Sequence, residues 1–177
     1  MTIRQIEPGD KPLIRAFYDE LSDRSRRFRF LVPTNDLSDE DLVYLTEVDH
    51  KRHEAVVALD DDRLVGVARY VRDPRDRESA EVAVVVVDDR QGEGIGTALL
   101  DRLTERAREN GVRRYTALVS QDNDIVVNAL ERAGAERTAT TGEGEIEFAI
   151  DVPSEGLGER LRTALRSIAS ALLRLRP

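Results

Sequence analysis

The sequence predicts a single α+β domain, and three local patterns carry this prediction. The first is a run of six apolar, mostly β-branched residues, Val82 to Val87, which favours a strand buried on both of its faces. The second is a pair of preceding strand-like segments, 54–59 and 64–71, with no helical pattern between them and the valine run. The third is a glycine-spaced turn, residues 91–96, that leads directly into a helical pattern.

Local signals predict the other elements in order. Alternating residues 2–6 indicate a first strand, and Pro8-Gly9-Asp10 is a turn that can begin a helix over 11–21. Ser38 with Asp41 resembles a capping box and opens a helix that continues to Val48. After the valine strand we expect a helix from Gly94 to Asn110, a strand over 113–119, a helix over 123–133 and a hairpin over 136–152.

Length, composition and charge limit the classes of function. A chain of 177 residues with 40% hydrophobic residues is long enough to bury one core. A net charge of −8 argues against nucleic acid as the main partner, because binding phosphates requires a basic face. The N-terminal residues carry no apolar signal segment, and no apolar run is long enough to cross a membrane. We therefore expect a soluble, cytoplasmic protein.

Cysteine is absent and there are only two histidines, His50 and His53. Disulfides, thiolate metal sites and a cysteine nucleophile are therefore excluded, and we expect no metal site. Either histidine could bind substrate or relay a proton, although a structural role at a strand entry is the commoner one. Lysine occurs only at Lys11 and Lys51, so self-modification on lysine is confined to two positions.

Two arginine-rich segments have more than one interpretation. Residues 22–31 place arginines around Phe28 and Phe30, which could bind phosphate or could anchor a short element whose arginines are paired or solvated. The tail from Gly156 has leucines at helical spacing and several arginines. Such an amphipathic helix packs on its own domain, on a second copy in a homodimer, or less commonly on a membrane.

The glycine-spaced turn predicts an anion site. A strand, a glycine-rich turn and a helix N-terminus together expose free backbone N–H groups that point in one direction. A purely structural turn would explain one or two of the glycines by their positive φ. A dinucleotide fold does not fit, because the G-x-G-x-x-G spacing and a preceding strand–helix–strand unit are missing. A Walker loop is excluded, because no Gly-Lys-Ser/Thr follows.

The pattern Gln91-x-x-Gly94-x-Gly96, after an apolar strand and at the start of a helix, resembles the coenzyme A pyrophosphate motif of the GNAT acetyltransferases. The order of elements over residues 2–152 is also similar to that family. Three local features look most like the bacterial protein-lysine acetyltransferase (Pat-like) group: the segment 22–31, the segment 49–58 and the sequence Ala80-Glu81-Val82-Ala83. The resemblance implies the GNAT fold, a mixed and mostly antiparallel sheet flanked by helices, over residues 1–152. Residues 153–177 would then form a C-terminal amphipathic helical extension.

The resemblance also implies the cosubstrate and its contacts. Acetyl-CoA would lie with its pantetheine along the valine strand and its pyrophosphate on the glycine turn. The residues that would bind acetyl-CoA are Val84, Val86, Gln91, Gly92, Gly94, Gly96, Thr97 and Asn123, the last of which could instead be a plain helix cap.

Glu81 occupies the position of the catalytic glutamate in the Pat-like group and would act as general base, although a strand-end carboxylate can also be a surface group. Many GNAT enzymes carry a tyrosine acid where this chain has Leu130. The implied function is transfer of an acetyl group to an amine, most plausibly a protein lysine. The acceptor could instead be a small-molecule amine or a protein N-terminus, and the chain could be a non-catalytic acyl-CoA-binding module. Glu81 distinguishes an enzyme from such a module, because a protein that only binds acyl-CoA gains nothing from a carboxylate beside the thioester.

Overall fold

A computed structural model of the chain describes residues 1–22, 25, 37–140, 144–156 and 162–163. The predicted Arg–Phe segment and the amphipathic tail lie almost entirely outside these described residues, as does the tip of the last hairpin. In the described residues, seven strands form one sheet in the order β1-β2-β3-β4-β5-β7-β6. The strands are β1 (Thr2–Gln5), β2 (His53–Asp60), β3 (Arg63–Arg72), β4 (Ser79–Val86), β5 (Arg114–Ser120), β6 (Glu136–Thr140) and β7 (Glu145–Asp151).

Four α-helices accompany this sheet in the same described ranges. Ser38 accepts a hydrogen bond from the Asp41 N–H and the Asp41 carboxylate accepts from the Ser38 N–H, which confirms the predicted capping box. Short 3₁₀ turns precede the first helix, at Pro8–Asp10, and follow β4, at Asp88–Arg90. The helices are α1 (Lys11–Glu20), α2 (Asp39–Thr46), α3 (Ile95–Glu109) and α4 (Asp124–Arg132).

Two adjacent residues of β3 show that the helices cover opposite faces of the sheet. The Arg69 guanidinium donates to the backbone oxygen of Leu45 in α2, whereas the Tyr70 hydroxyl accepts from the Asn110 side chain at the end of α3. Successive side chains of a strand point to opposite faces, so α2 and α3 lie on different faces. α1 packs against α2 and β3, and Gly66 admits α3, since a Cβ there would lie 2.8 Å from the Leu99 side chain.

The sheet is mixed and mostly antiparallel, as the sequence resemblance implied. Every neighbouring pair of strands is antiparallel except β4 and β5, which are parallel. The valine run does form β4, but the expectation that it is buried on both faces is wrong. Val85 and Val87 are buried, whereas Val82, Val84 and Val86 are only half-buried, because β5 does not accompany the strand beyond its first residues.

The segment after β7 lies against α3. The Arg108 side chain donates to the backbone oxygens of Pro153, at 3.1 Å, and Gly156, at 2.9 Å, and the Arg162 guanidinium lies 3.3 Å from the Asp101 carboxylate. In the described part of the chain, no helix has the length and apolar character needed to cross a membrane.

Candidate active site

A wedge-shaped opening between β4 and β5 defines the candidate site. The two strands pair only at Ser79–Arg114, Ala80–Tyr115 and Glu81–Thr116. Beyond Glu81, β4 stays paired with β3 through Val86, and β5 stays paired with β7 through Ser120. The strands therefore part after three residue pairs, and Glu81 with Thr116 forms the closed end of the opening.

The free edge of β4 presents the backbone groups of Val84 and Val86 to this opening. The Val87 N–H donates to the Val65 oxygen of β3 at 3.0 Å, so Val87 points its backbone groups towards β3. Backbone groups of successive strand residues point to opposite edges, so those of Val86 and Val84 point away from β3. An extended ligand can pair with them as an added strand would, which fits the amide-bearing pantetheine arm.

The N-terminus of α3 lies at the wide end of the opening and has uncapped N–H groups. The first backbone hydrogen bond of the helix is Ala98 N–H to Gly94 O, at 3.0 Å, and the N-cap residue Gly94 supplies no side chain. The N–H groups of Ile95, Gly96 and Thr97 thus have no acceptor within the helix. The first turn also carries no acidic side chain, and this arrangement fits a pyrophosphate.

The three glycines of the turn differ in their backbone conformation. Gly92 and Gly94 have φ of +89° and +86°, values that other L-residues adopt at a cost. Gly96 has no such φ, and a Cβ there would meet Val86 and Val84 side chains at the ordinary contact distances of 3.7 and 3.9 Å. Neither backbone conformation nor packing in the described residues therefore requires glycine at position 96.

Gln91 braces the turn against β4. Its side-chain Nε2 donates to the backbone oxygen of Val86 at 3.0 Å. This bond occupies the Val86 oxygen on the free edge and leaves the Val86 N–H available to a ligand. Gln91 thus connects the glycine turn to β4, with its amide nitrogen bonded to the strand.

Three acidic residues around the glycine turn, Asp60, Asp89 and Glu93, are paired with arginines. Asp89 pairs with Arg63 at 3.0 Å, and Arg90 pairs with both Asp60 and Glu93, at 2.5 and 2.8 Å. Hydrogen bonds from Arg63 lower the pKa of Asp89, and those from Arg90 lower the pKa of Asp60. The carboxylates thus remain charged but paired, which limits their repulsion of a bound phosphate.

Glu81 lies at the closed end of the opening, half-buried. Burial raises its pKa above the ordinary value, and the charges of Glu145 and Glu147 raise it further. Among the described residues, none donates a hydrogen bond to its carboxylate. Register places Glu81 beside Val71 and Thr116, on the face of the sheet that carries α1 and α2. A carboxylate with these properties can accept a proton.

Asn123 lies on the other arm of the opening, after β5, and is 9% exposed. Its Oδ1 accepts from the Val126 N–H at 3.4 Å, so it does cap α4. The cap uses the oxygen, and the amide nitrogen is the group that could reach a ligand. Leu130, where the family often has a tyrosine, is an apolar residue packed beside Val119 and Phe148.

The two histidines have structural contacts. His50 adopts a positive φ of 56°, its Nδ1 lies 2.7 Å from the Glu54 carboxylate, and its backbone oxygen accepts from the Asn110 side chain. The Arg69 guanidinium contacts the His53 Nε2 at 3.2 Å. Burial, with the Arg69 charge, lowers the pKa of His53 to about 4, so His53 is neutral at physiological pH.

Sequence reasoning did not single out Glu54, Arg69 or Asp88. Glu54 is 0% exposed and accepts from the Arg106, Gln5 and Ala55 nitrogens, each at 3.0 Å. The available signal was a charged residue within an otherwise apolar strand pattern, which holds for Glu54 and for Arg69. Asp88 gives no such signal. Within the described ranges, no group of histidine and carboxylate side chains has the arrangement of a metal site.

Comparison with known proteins supports the resemblance to the GNAT acetyltransferases. The acetyltransferase (GNAT) family model matches residues 14–135. An acetyltransferase of Pseudomonas aeruginosa is 34% identical over 125 residues, which are 68% of this chain and 67% of that protein. Acetyltransferase Pat of Mycolicibacterium smegmatis is 36% identical over 138 residues, which are 75% of this chain but only 40% of Pat.

A solved structure shows the same architecture. The GNAT domain of S. lividans PAT is similar with a TM-score of 0.75 and 29% identity, over 84% of this chain and 89% of that domain. Together with the Pat match, this supports the likeness to the Pat-like group. The chain therefore belongs to the GNAT family of acetyltransferases, and it is an acyltransferase whose cosubstrate is acetyl-CoA.

Proposed function

We propose that this enzyme transfers the acetyl group of acetyl-CoA to the side chain of a protein lysine, by direct attack of the amine with Glu81 as general base. The observation that carries the proposal is the position of Glu81. It is a half-buried carboxylate of raised pKa, without a hydrogen-bond donor in the described residues, at the closed end of the β4–β5 opening.

The base is needed because only the neutral amine attacks a thioester. A free lysine has a pKa of about 10.4, so at pH 7 the neutral form costs about 4.6 kcal/mol. A carboxylate that receives the proton, directly or through one water, recovers part of that cost. The raised pKa of Glu81 makes it a better proton acceptor than an exposed glutamate.

In this proposal acetyl-CoA lies along the free edge of β4. The N–H groups of Val84 and Val86 hold the pantetheine arm, and one such N–H polarises the thioester carbonyl. Gly92, Gly94, Gly96 and Thr97 hold the pyrophosphate through backbone N–H groups. Gln91 keeps the turn against the strand, and the Asn123 amide nitrogen contacts the cosubstrate from the opposite arm.

The reaction balances without a further reagent. Glu81 takes one proton from the lysine ammonium group, and the neutral nitrogen then forms a bond to the acetyl carbon. The carbon–sulfur bond breaks, and the second proton that the nitrogen loses passes, directly or through water, to the released CoA sulfur. The sulfur leaves as the CoA thiolate, and with a thiol pKa of about 8.5 it needs little protonation to leave. The chain has Leu130 at the position where relatives often place a tyrosine acid, and the proposed mechanism therefore includes no tyrosine step.

Two observations favour a lysine side chain as acceptor. The likeness to the Pat-like group is one, on the segments given above. The other is the charge of the face on which Glu81 lies, since register puts Glu145 and Glu147 on that same face, where both raise the pKa of Glu81. A negative field attracts a cationic amine to the site.

The test is CoA release measured with a thiol reagent, which the cysteine-free enzyme does not consume. Three matched peptides separate the acceptor classes: one with a blocked N-terminus and one lysine, one with a free N-terminus and arginine for that lysine, and a blocked peptide with arginine alone. Turnover with the first alone supports lysine acetylation. Turnover with the second alone would replace it with N-terminal acetylation. No turnover with any peptide or small amine, although acetyl-CoA binds, would indicate a binding module.

A further inference from the structure

Asp88 joins the turn after β4 to the segment that follows α1. Its carboxylate accepts from the Ser22 N–H at 3.0 Å, from the Ser22 hydroxyl at 2.8 Å and from the Ser25 hydroxyl at 2.9 Å. The Ser25 N–H in turn donates to the Ser22 hydroxyl oxygen at 3.2 Å. Burial acts to raise the pKa of Asp88, but these hydrogen bonds outweigh burial and the pKa lies below its ordinary value.

The two segments that Asp88 connects lie at two parts of the candidate site. Asp88 begins the 3₁₀ turn that leads into the glycine turn and the uncapped N-terminus of α3. Ser22 follows α1, which packs against α2 and β3, on the face of the sheet that also carries Glu81. One carboxylate therefore links the glycine turn to backbone on the face of the sheet that carries Glu81.

The other two residues of this 3₁₀ turn have different partners. Asp89 and Arg90 pair with Arg63 and Asp60, which belong to the β2–β3 hairpin. Those contacts attach the turn to the sheet itself through exposed and half-buried side chains, and surface ion pairs contribute little to stability. Arg63 also pairs with Glu20 at the end of α1, so Asp89 reaches α1 through an exposed pair. The direct connection from the turn to Ser22 and Ser25 is made by Asp88.

We propose that Asp88 is a positioning residue that couples acetyl-CoA binding to the placement of Ser22 and Ser25, and through them to acceptor binding. This inference rests on the proposed function. A cosubstrate on the glycine turn favours the position of the 3₁₀ turn in which Asp88 meets both serines. An acceptor bound beside Ser22 favours the same position. By linkage, each ligand then raises the affinity for the other by the same factor, roughly 5- to 20-fold.

Amide hydrogen exchange at Ser22 and Ser25, with and without acetyl-CoA, measures this coupling directly, because both N–H groups donate within the cluster. We expect acetyl-CoA to slow exchange of both amides at least about fivefold in the wild type. In Asp88→Ala, acetyl-CoA should still raise the Tm but should leave these amides unaffected. Asp62→Ala, which removes an exposed carboxylate at the tip of the β2–β3 hairpin, should behave as the wild type.

Kinetics separate positioning from a loss of folding. In Asp88→Ala the acceptor KM should rise roughly 5- to 20-fold and become independent of acetyl-CoA concentration, with kcat within about twofold. The double variant S22A/S25A removes the two hydroxyl donors but keeps the Ser22 N–H, so it should show part of this KM effect, without adding to that of Asp88→Ala. Asp88→Asn keeps one carbonyl oxygen and should restore part of the coupling.

Three results would overturn the inference. Equal slowing of Ser22 exchange by acetyl-CoA in Asp88→Ala and the wild type would show that the coupling does not pass through this carboxylate. Unchanged exchange in the wild type, despite a raised Tm, would show that there is no coupling although the cosubstrate site exists. Failure of acetyl-CoA to raise the Tm of the wild type would overturn the cosubstrate site, and the coupling with it.

Discussion

Glu81 and Thr116 are the last residue pair that joins β4 to β5. The position of the proposed base is therefore set by the same feature that opens the cosubstrate site, since the two strands part immediately beyond this pair. Any ligand that enters the opening along β4 ends its path next to Glu81. In the proposed mechanism, the sheet itself therefore positions both the thioester and the carboxylate.

Replacing Glu81 with glutamine should lower kcat by about 10²- to 10⁴-fold, the usual contribution of a general base. Acetyl-CoA binding should persist, because the proposed contacts with the cosubstrate are made by other residues. Steady-state CoA release measures the first effect, and the acetyl-CoA-induced rise in Tm measures the second.

Glu78→Gln is the matched control for this substitution. Glu78 is exposed and lies just before β4, and its carboxylate makes a surface ion pair with Arg113. Its kcat should stay within about twofold of the wild type, since such pairs contribute little. Equal kcat values for Glu81→Gln and the wild type would refute the general-base role.

Glu81→Gln should also stabilise the folded enzyme at neutral pH. Burial and two neighbouring carboxylates raise the pKa of Glu81 in the folded state, so wild-type stability falls as the pH rises through that pKa. Glutamine carries no charge and avoids this loss. We expect a higher Tm for Glu81→Gln at pH 7 to 8, and a difference that vanishes below the ordinary glutamate pKa. Thermal unfolding across pH measures it, and a lower Tm at neutral pH would contradict the prediction.

Gly94→Ala should weaken acetyl-CoA binding by about tenfold or more, which corresponds to 1.4 kcal/mol. Gly94 has φ +86° as N-cap of α3, so a side chain there either strains the backbone by about 1–2 kcal/mol or turns the N–H groups away from the phosphate. Isothermal titration with acetyl-CoA gives the affinity. Gly9→Ala is the control and should bind acetyl-CoA as the wild type does, because nothing lies within 4 Å of a Cβ at Gly9 and its φ is not positive. Unchanged binding in Gly94→Ala would contradict the assignment of the turn as the pyrophosphate site.

Glu54→Gln should lower the free energy of unfolding by about 3 kcal/mol or more, because a buried charged network would lose its central acceptor. An amide can accept at one oxygen only, while Arg106 and Gln5 both donate to a single carboxylate oxygen and His50 contacts the other. Urea unfolding measures the loss. Glu109→Gln removes an exposed partner of the same Arg106 and should cost less than about 1 kcal/mol; a similar loss in both variants would show that burial of Glu54 is not decisive.

The sequence predicted what depends on neighbouring residues. The valine run, the glycine turn and the Ser38–Asp41 box act through contacts a few residues apart, and the corresponding strand, turn and helix start are present. The prediction that the valine run is buried on both faces was wrong, because burial there depends on contacts between distant segments. Hydrophobicity cannot reveal that β5 leaves β4 after Glu81, because that departure depends on the pairing of two distant strands.

The contacts of Asp88 and Glu54 could not be read from the sequence for the same reason. In the sequence, Asp88 is an ordinary polar residue between a strand and a turn. Its partners Ser22 and Ser25 lie far away in the chain, before the second helix. Glu54 meets Arg106 only after α3 has packed across β2 and β3. Residue type and spacing do not report contacts between distant segments. The sequence alone therefore predicted the valine strand, the glycine turn and the helix start, but not the network around them.

The short parallel pairing has a mechanical consequence. Strands β1 to β4 form one antiparallel half of the sheet and β5, β7 and β6 form the other, and three residue pairs join the two halves among the described residues. Pairing within each half is antiparallel and longer than this junction, so each half can act as a cooperative unit of local unfolding. A pantetheine arm that pairs with β4 and faces β5 on its other side would fill the unpaired part of the boundary between the two halves. We therefore expect local unfolding of the sheet to be rarest when acetyl-CoA is bound, because the cosubstrate then connects the two halves of the sheet.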